Sequence, residues 1–269
     1  MQRYALFGHH VSHTLSPTIH RQFALQTSQF IDYQVIDVAP VQFESTIMEF
    51  FQAGGMGANL TAPYKETALS LCDVLSVEAR RAGAVNTLMR QSDGAIFGHN
   101  TDGSGLVNHL LSESISFEDK SVLVLGAGGA AKGAVSALLG QPLKQLVLRN
   151  RTHQKALDLW DNLPRDHRFE VQAWSNGTGA FDLVVNATSA SLKQQALPLQ
   201  SQMLHPATIC YDMFYHQDKT IFNQWAQRHG AKQVFDGLGM LVYQAALGFE
   251  LWRQVQPDAI SVFKQLQAR

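Results

Sequence analysis

The run Val122-Leu123-Val124-Leu125 passes straight into Gly126-Ala127-Gly128-Gly129-Ala130, and this junction leaves few folds open. An uninterrupted branched apolar run reads as a strand buried on both faces, the usual condition of a parallel sheet. The glycines after it turn the chain sharply into a helix beginning near Ala130, the arrangement that builds a pyrophosphate site. Gly126 permits the turn, Gly128 lets the main chain approach phosphates without a Cβ in the way, and Ala131 stands where a third glycine would pack helix on strand. With Ala127, Gly129 and Ala130 they deliver the first helical turn, whose free N–H groups and positive dipole end favour an anion. A plain strand-to-helix connection uses the same residue types, so the neighbouring strand has to decide between the two.

That strand, expected over 144–149, ends at Asn150-Arg151-Thr152, with Lys155 one turn later. An NAD site places Asp or Glu about 20 residues beyond the glycines for the ribose hydroxyls. None stands here. Two cations and a hydroxyl suit a 2′-phosphate instead, which points to NADP(H). On the alternative reading, Thr152 caps a helix running to Asn162 and the cations are solvated. Further strands at 183–186, 208–212 and 232–235 alternate with helical segments, so this part of the chain is an α/β domain with helices on both faces of a parallel sheet.

Charge argues for small-molecule partners. The 269 residues carry a formal charge of −1 and only 16% of them are charged, which leaves no basic field for nucleic acid or an anionic membrane. The longest uncharged run, 194–211, is broken by Pro198 and Pro206 and does not read as a membrane span. Cys72 and Cys210 lack CxxC spacing and fit reduced thiols, and the first residues enter a strand without a signal-like apolar stretch, so a cytoplasmic location is expected.

Upstream, a strand over 4–8 leads to a polar loop at 9–17, where Pro17 suits the first position of a helix and Ser16 its cap. His9, His10, His13 and His20 find no matching ligand cluster elsewhere, and no metal is expected. Ile19, Phe23 and Ala24 repeat at helical spacing, then come a strand at 33–38 and a helix near 43–51. A short strand ends at Asn59 and Thr61, and Pro63 is expected to open a helix whose first turn holds Lys65. A cation there opposes the helix dipole and gives up its proton more easily, although an ordinary surface lysine reads the same way. A hairpin over 88–90 and 95–97 turns at Ser92-Asp93-Gly94, and Asp102 reads as the cap of the following helix. A long helix over 241–255 and a shorter one from Asp258 close the chain.

Taken in order, Thr14-x-Ser16-Pro17, Asn59-Leu60-Thr61-Ala62-Pro63-Tyr64-Lys65, Gly83-Ala84-Val85-Asn86-Thr87, Asn100-Thr101-Asp102-Gly103, Gly126-Ala127-Gly128-Gly129-Ala130, Asn150-Arg151-Thr152, Asn186-Ala187-Thr188-Ser189, Tyr211-Asp212-Met213-Phe214-Tyr215 and Asp236-Gly237-Leu238-Gly239-Met240 closely resemble the shikimate dehydrogenase family. The resemblance implies reversible NADPH-dependent reduction of 3-dehydroshikimate to shikimate, in chorismate and aromatic amino-acid synthesis. It implies two domains, an α/β substrate domain of residues 1–104 plus 237–269 and a Rossmann-like NADP domain of residues 105–236, in a monomer or homodimer. Lys65 and Asp102 then look like the catalytic pair. Thr14, Ser16, Asn59, Thr61, Asn86, Tyr215 and Gln244 look like the substrate shell, and Thr188, Met213 and Gly237 join the glycine loop and the Asn150–Lys155 group at the cofactor. Thr14, His9-His10, Ala62 and His99 depart from the commonest family pattern, and His99 lies close enough in sequence to Asp102 to bear on its pH behaviour.

Overall fold

The computed structural model describes residues 1–11, 13–163, 165–175 and 179–268. Ser12, in the polar loop, lies outside them. The chain divides into two compact units, Met1–Gly105 with Leu241–Arg269, and Leu106–Met240.

The first unit begins with β1 (Gln2–Gly8), α1 (Ser16–Gln26), β2 (Ile31–Asp37), α2 (Phe43–Gln52) and β3 (Gly55–Leu60). It continues with β4 (Val74–Leu75), α3 (Val77–Ala82), β5 (Thr87–Arg90), β6 (Ile96–His99) and the first turn of α4 (Asp102–Ser112). The sheet order is β2-β1-β3-β5-β6-β4, with β5 antiparallel to both neighbours and the remaining pairs parallel. Phe43, Ile47 and Phe51 of α2 recur at helical spacing and are buried with Ala5, Phe7, Ala58 and Leu60. Each such large side chain contributes about 1.5–3 kcal/mol on burial, which is why the sheet rather than the loops fixes this unit.

The second unit alternates β7 (Ser121–Leu125), α5 (Gly129–Leu139), β8 (Gln145–Asn150), α6 (His153–Asp161), β9 (Phe169–Ala173), β10 (Leu183–Asn186), β11 (Ile209–Asp212), α7 (Ile221–Arg228) and β12 (Gln233–Phe235). Its sheet, β12-β11-β10-β7-β8-β9, is parallel throughout. Successive residues of β7 face opposite ways, so Val122 and Val124 join a core with α5 and α6 while Leu123 and Leu125 join one with Phe222 and Ala226 of α7. Helices therefore cover both faces, as the apolar strand pattern requires.

The chain then forms α8 (Leu238–Arg253) and α9 (Ala259–Gln267). In the first unit, Trp252 on α8 stacks on Tyr4 at 4.7 Å between centroids and donates Nε1–H to the Leu88 carbonyl at 2.9 Å. Asp258 caps α9, accepting the Ser261 N–H. Among the described residues no helix is long and apolar enough to cross a membrane.

Three local expectations are corrected. Ser16 is the first residue of α1 rather than its cap, because its N–H is taken by Thr14 Oγ1 at 3.2 Å and its hydroxyl caps nothing. Pro63 opens no helix. Residues 62–66 form turns ahead of a short 3-10 helix, Thr67–Leu71, since the Lys65 carbonyl accepts the Val85 N–H at 2.7 Å instead of continuing a helical ladder. The helix-dipole argument for Lys65 falls with that helix. Asp102 starts α4 without capping it; its own N–H goes to Asn100 Oδ1 at 3.1 Å, which leaves its carboxylate for other partners.

Candidate active site

Within the first unit, the ends of β3, β5 and β6 bring polar side chains to one place. Backbone bonds set the frame: Leu60 N–H donates to the Asn86 carbonyl at 2.8 Å, Asn86 N–H to that of His99 at 3.0 Å, and Val85 N–H to Lys65. The turn carrying Lys65 is thereby held against the Asn86 segment. Lys65 Nζ reaches Asp102 Oδ2 at 2.6 Å, with the lysine side chain 24% exposed and the aspartate 5%. One partner thus faces solvent and the other is its buried anchor.

Asn86 holds the other carboxylate oxygen. Its Oδ1 accepts the Thr101 N–H at 2.9 Å, so its Nδ2 must face Asp102 Oδ1, at 2.8 Å, and Thr101 Oγ1, at 2.9 Å. Gln244 Oε1 lies 3.2 Å from the same nitrogen. Gln244 reaches this point because α8 crosses the start of α4 at Gly105, where a Cβ would stand 2.7 Å from the Gln244 backbone nitrogen. A charge-assisted bond to each oxygen fixes the carboxylate, with the ammonium as its less buried partner.

Asn59 closes the other side. Tyr33 Oη donates to its Oδ1 at 2.8 Å and the buried His20 lies 3.1 Å from the same oxygen, while its Nδ2 meets Thr87 Oγ1 at 3.2 Å. Burial pushes the His20 pKa down to about 3, so the ring is neutral at ordinary pH. Thr14 Oγ1 donates to Ser16 Oγ at 3.1 Å, and the Ser16 hydroxyl hydrogen-bonds Tyr33. Thr61 follows β3, its N–H on the Phe7 carbonyl. Of the expected substrate shell, Asn59, Asn86 and Gln244 join one network with Lys65 and Asp102. Thr14 and Ser16 reach it through Tyr33. Tyr215 belongs to the second unit.

In the second unit, Gly126 takes a φ of +109°, with the Ala187 carbonyl oxygen 2.9 Å from where a Cβ would be. Only glycine fits that turn. Gly128 precedes α5 with no side-chain cap, and a Cβ built on it meets nothing within 4 Å. The loop is therefore an open cradle of backbone donors at a helix N-terminus, which fits a pyrophosphate. At the end of β8, Arg151, Thr152 and Lys155 are exposed, and Thr152 stands at the cap position of α6 without its hydroxyl capping it. The cations and that hydroxyl are thus available to a 2′-phosphate. Thr188 donates its hydroxyl to Asn186 Oδ1 at 2.7 Å, Met213 N–H bonds the Asn186 carbonyl at 2.9 Å, and Gly237 N–H bonds the Phe214 carbonyl at 3.1 Å. Asp212, buried and with its pKa raised by that burial, gathers the loops by accepting from Asn186 Nδ2 at 3.1 Å, Ser191 Oγ at 2.5 Å and Phe214 N–H at 3.2 Å.

Sequence reasoning missed Tyr33, His20 and Thr87 in the first unit and the Asn186–Asp212 pair in the second. His20 was visible as one of several histidines, but among the described residues no group of three or more His, Cys, Asp or Glu side chains is placed to hold a metal.

Comparison with known proteins covers the chain in three stretches. A shikimate dehydrogenase substrate binding domain profile matches residues 6–88, a shikimate / quinate 5-dehydrogenase profile 108–203, and a shikimate 5′-dehydrogenase C-terminal domain profile 237–265. Among solved structures, an Ael1 enzyme from Pseudomonas putida is 38% identical with a TM-score of 0.92, covering 99% of this chain and 98% of that one. Shikimate 5-dehydrogenase from Thermus thermophilus, in complex with NADP(H) and shikimate, is 33% identical with a TM-score of 0.89, covering 100% and 99%. Shikimate dehydrogenase from Aquifex aeolicus is 28% identical with a TM-score of 0.86, covering 98% and 97%.

Proposed function

Because this chain belongs to the shikimate dehydrogenase family, we propose that Lys65 and Asp102 are the pair that moves the proton in its reaction. The enzyme interconverts 3-dehydroshikimate and shikimate with NADP(H), a step of aromatic biosynthesis. The observation that carries the residue assignment is the 2.6 Å contact between a partly exposed ammonium and a buried carboxylate whose second oxygen is held by Asn86.

NADPH, when bound, supplies the hydride that reduces the ketone. The chain's own part is proton transfer and orientation. As the carbonyl oxygen gains charge, Lys65 Nζ donates a proton to it, and in the reverse direction the neutral amine accepts one from the hydroxyl. Asp102 keeps Nζ pointed and balances its charge. Thr14, Ser16, Asn59, Thr61, Asn86, Tyr215 and Gln244 supply donors and acceptors for a polyhydroxylated acid, and analogues that leave those groups unpaired are penalised. Gly126 to Ala130 would hold the pyrophosphate and Asn150, Arg151, Thr152 and Lys155 the 2′-phosphate, and Thr188, Met213 and Gly237 would complete the cofactor site. We place the substrate-binding domain at residues 1–104 with 237–269 and the cofactor-binding domain at 105–236, with Tyr215 and Gly237 as the residues assigned against that division. The enzyme works in the cytoplasm, as a monomer or homodimer.

Reduction of NADP⁺ by the purified protein with shikimate, followed by NADPH absorbance, tests the reading. Quinate with NAD⁺ is the comparison arm. Turnover only in that arm would overturn both the substrate and the cofactor assignment.

A further inference from the structure

Two amides at the site are oriented by backbone groups that allow no choice of direction. The Thr101 N–H can only donate, so the Asn86 atom 2.9 Å away is its oxygen. The Asn86 carbonyl can only accept, so the Asn59 atom facing it at 3.4 Å is the nitrogen. Between these two side chains stands the hydroxyl of Thr87, wholly buried, 3.2 Å from Asn59 Nδ2 and 3.0 Å from Asn86 Oδ1.

Its proton direction is then determined. Asn59 Nδ2 donates to Thr87 Oγ1, which leaves the Thr87 hydrogen for Asn86 Oδ1. On the far side, Asn59 Oδ1 receives both Tyr33 Oη and the neutral His20 Nε2–H. On the near side, Asn86 Nδ2 is left to donate to Asp102 Oδ1, whose other oxygen holds Lys65. One donor-to-acceptor sequence therefore runs from the buried His20 and Tyr33 to the Asp102 carboxylate, and Thr87 is the member between the two amides, accepting from one and donating to the other through a single oxygen. Within this sequence the atoms from Asn59 to Asp102 all have partners, while at its head the His20 Nδ1 has none among the described residues; inside a protein such bonded groups hold one another's orientation.

Resting on the assignment of Lys65 and Asp102 above, we propose that Thr87 is a positioning residue for proton transfer. The backbone sets which way the two amides face, and the Thr87 hydroxyl, bonded to both, holds Asn86 firmly in that position and so steadies the Asp102 carboxylate against Lys65. It acts through Asn86 and not on the substrate.

The test uses the full chain and steady-state NADP⁺ reduction with shikimate for Thr87→Val, Thr87→Ser and Lys65→Ala. Valine keeps the shape and removes the hydroxyl. It is expected to lower kcat about five- to tenfold, the cost of one neutral hydrogen bond, while shikimate KM changes less than about threefold. Serine restores the hydroxyl and is expected to bring kcat back to within about twofold of the parent. A Thr87→Val protein that loses thermal stability but keeps kcat overturns the proposal, as does a serine variant that is as impaired as the valine one. Should Thr87→Val fail to fold, Thr87→Cys, with a weak donor of similar size, takes its place, and an unchanged kcat there is again fatal. Lys65→Ala separates the premise from the inference. If it loses kcat while Thr87→Val does not, only the role of Thr87 falls; if it keeps kcat, the assignment of Lys65 falls and the proposal with it.

Discussion

His20 makes acid stability a direct probe of the site's interior. Its ring is wholly buried against Tyr33, Phe23 and Trp252, and burial lowers its pKa from 6.5 to about 3. The unfolded chain therefore binds a proton that the folded one refuses. The contribution to stability is fully present above about pH 6.5, declines as the pH falls from there, and levels off only below about pH 3. With one unit of pKa equal to about 1.4 kcal/mol, the loss from this one residue is about 2 kcal/mol at pH 5 relative to neutral pH. Between about pH 6 and 5 the slope is about 1.2 kcal/mol per pH unit. His20→Gln keeps an N–H donor in reach of Asn59 Oδ1 and removes the titration. Urea unfolding of both proteins across this range isolates the effect, because His109, whose pKa burial lowers to about 4, is common to both and cancels in the difference. The parent should lose about 2 kcal/mol more than the variant on acidification. Parallel stability profiles would mean that the folded imidazole titrates like an exposed one, and the burial argument would fail.

Other expectations concern the reaction. Lys65→Ala should lower kcat by about 10²–10⁴ with a much smaller change in shikimate KM. Asp102→Asn should cost a comparable factor, and the double variant should be little worse than either, because groups that act jointly are non-additive; losses that multiply would dissolve the pair. Arg151→Ala should weaken NADPH use by about tenfold or more and hardly alter NADH use, since a charge-assisted bond to phosphate is worth about 1.5–3 kcal/mol; equal losses with both cofactors would remove the arginine from the 2′-phosphate. A Cβ at Gly128 meets no neighbour in the folded chain, so in Gly128→Ala thermal stability should hold while NADP⁺ KM rises about tenfold or more. The opposite result would make the glycine a packing residue only.

The second unit was largely legible because burial on both faces writes itself plainly. Ser121–Leu125 and Leu183–Asn186 have the expected bounds, and the other three expected parallel strands differ by a residue at one or both ends. Phe169–Ala173 was missed although Phe169, Val171 and Ala173 alternate with Glu170 and Gln172, because it is a short edge strand with only Phe169 buried and lacks the continuous apolar run of its neighbours. Lys65 shows the opposite failure. Pro63 is a fair helix-start signal, but a tertiary bond from Val85 claims the Lys65 carbonyl, and no local pattern announces a partner twenty residues away. Thr87 and Tyr33 were likewise hidden, because a hydroxyl at the head or middle of a strand looks like any other β-former until its partners are known.

The first unit also carries a consequence for how the protein is made. Gln244, which reaches Asn86, and Trp252, which bonds Leu88, both lie on α8, beyond the whole of the second unit. As the chain leaves the ribosome, β1 to β6 emerge early but must wait for these late residues before their packing is complete, while Leu106–Met240 has everything it needs beforehand. The order of synthesis is therefore not the order of completion: the middle of the chain can finish first, and the polar network around Lys65 is assembled last.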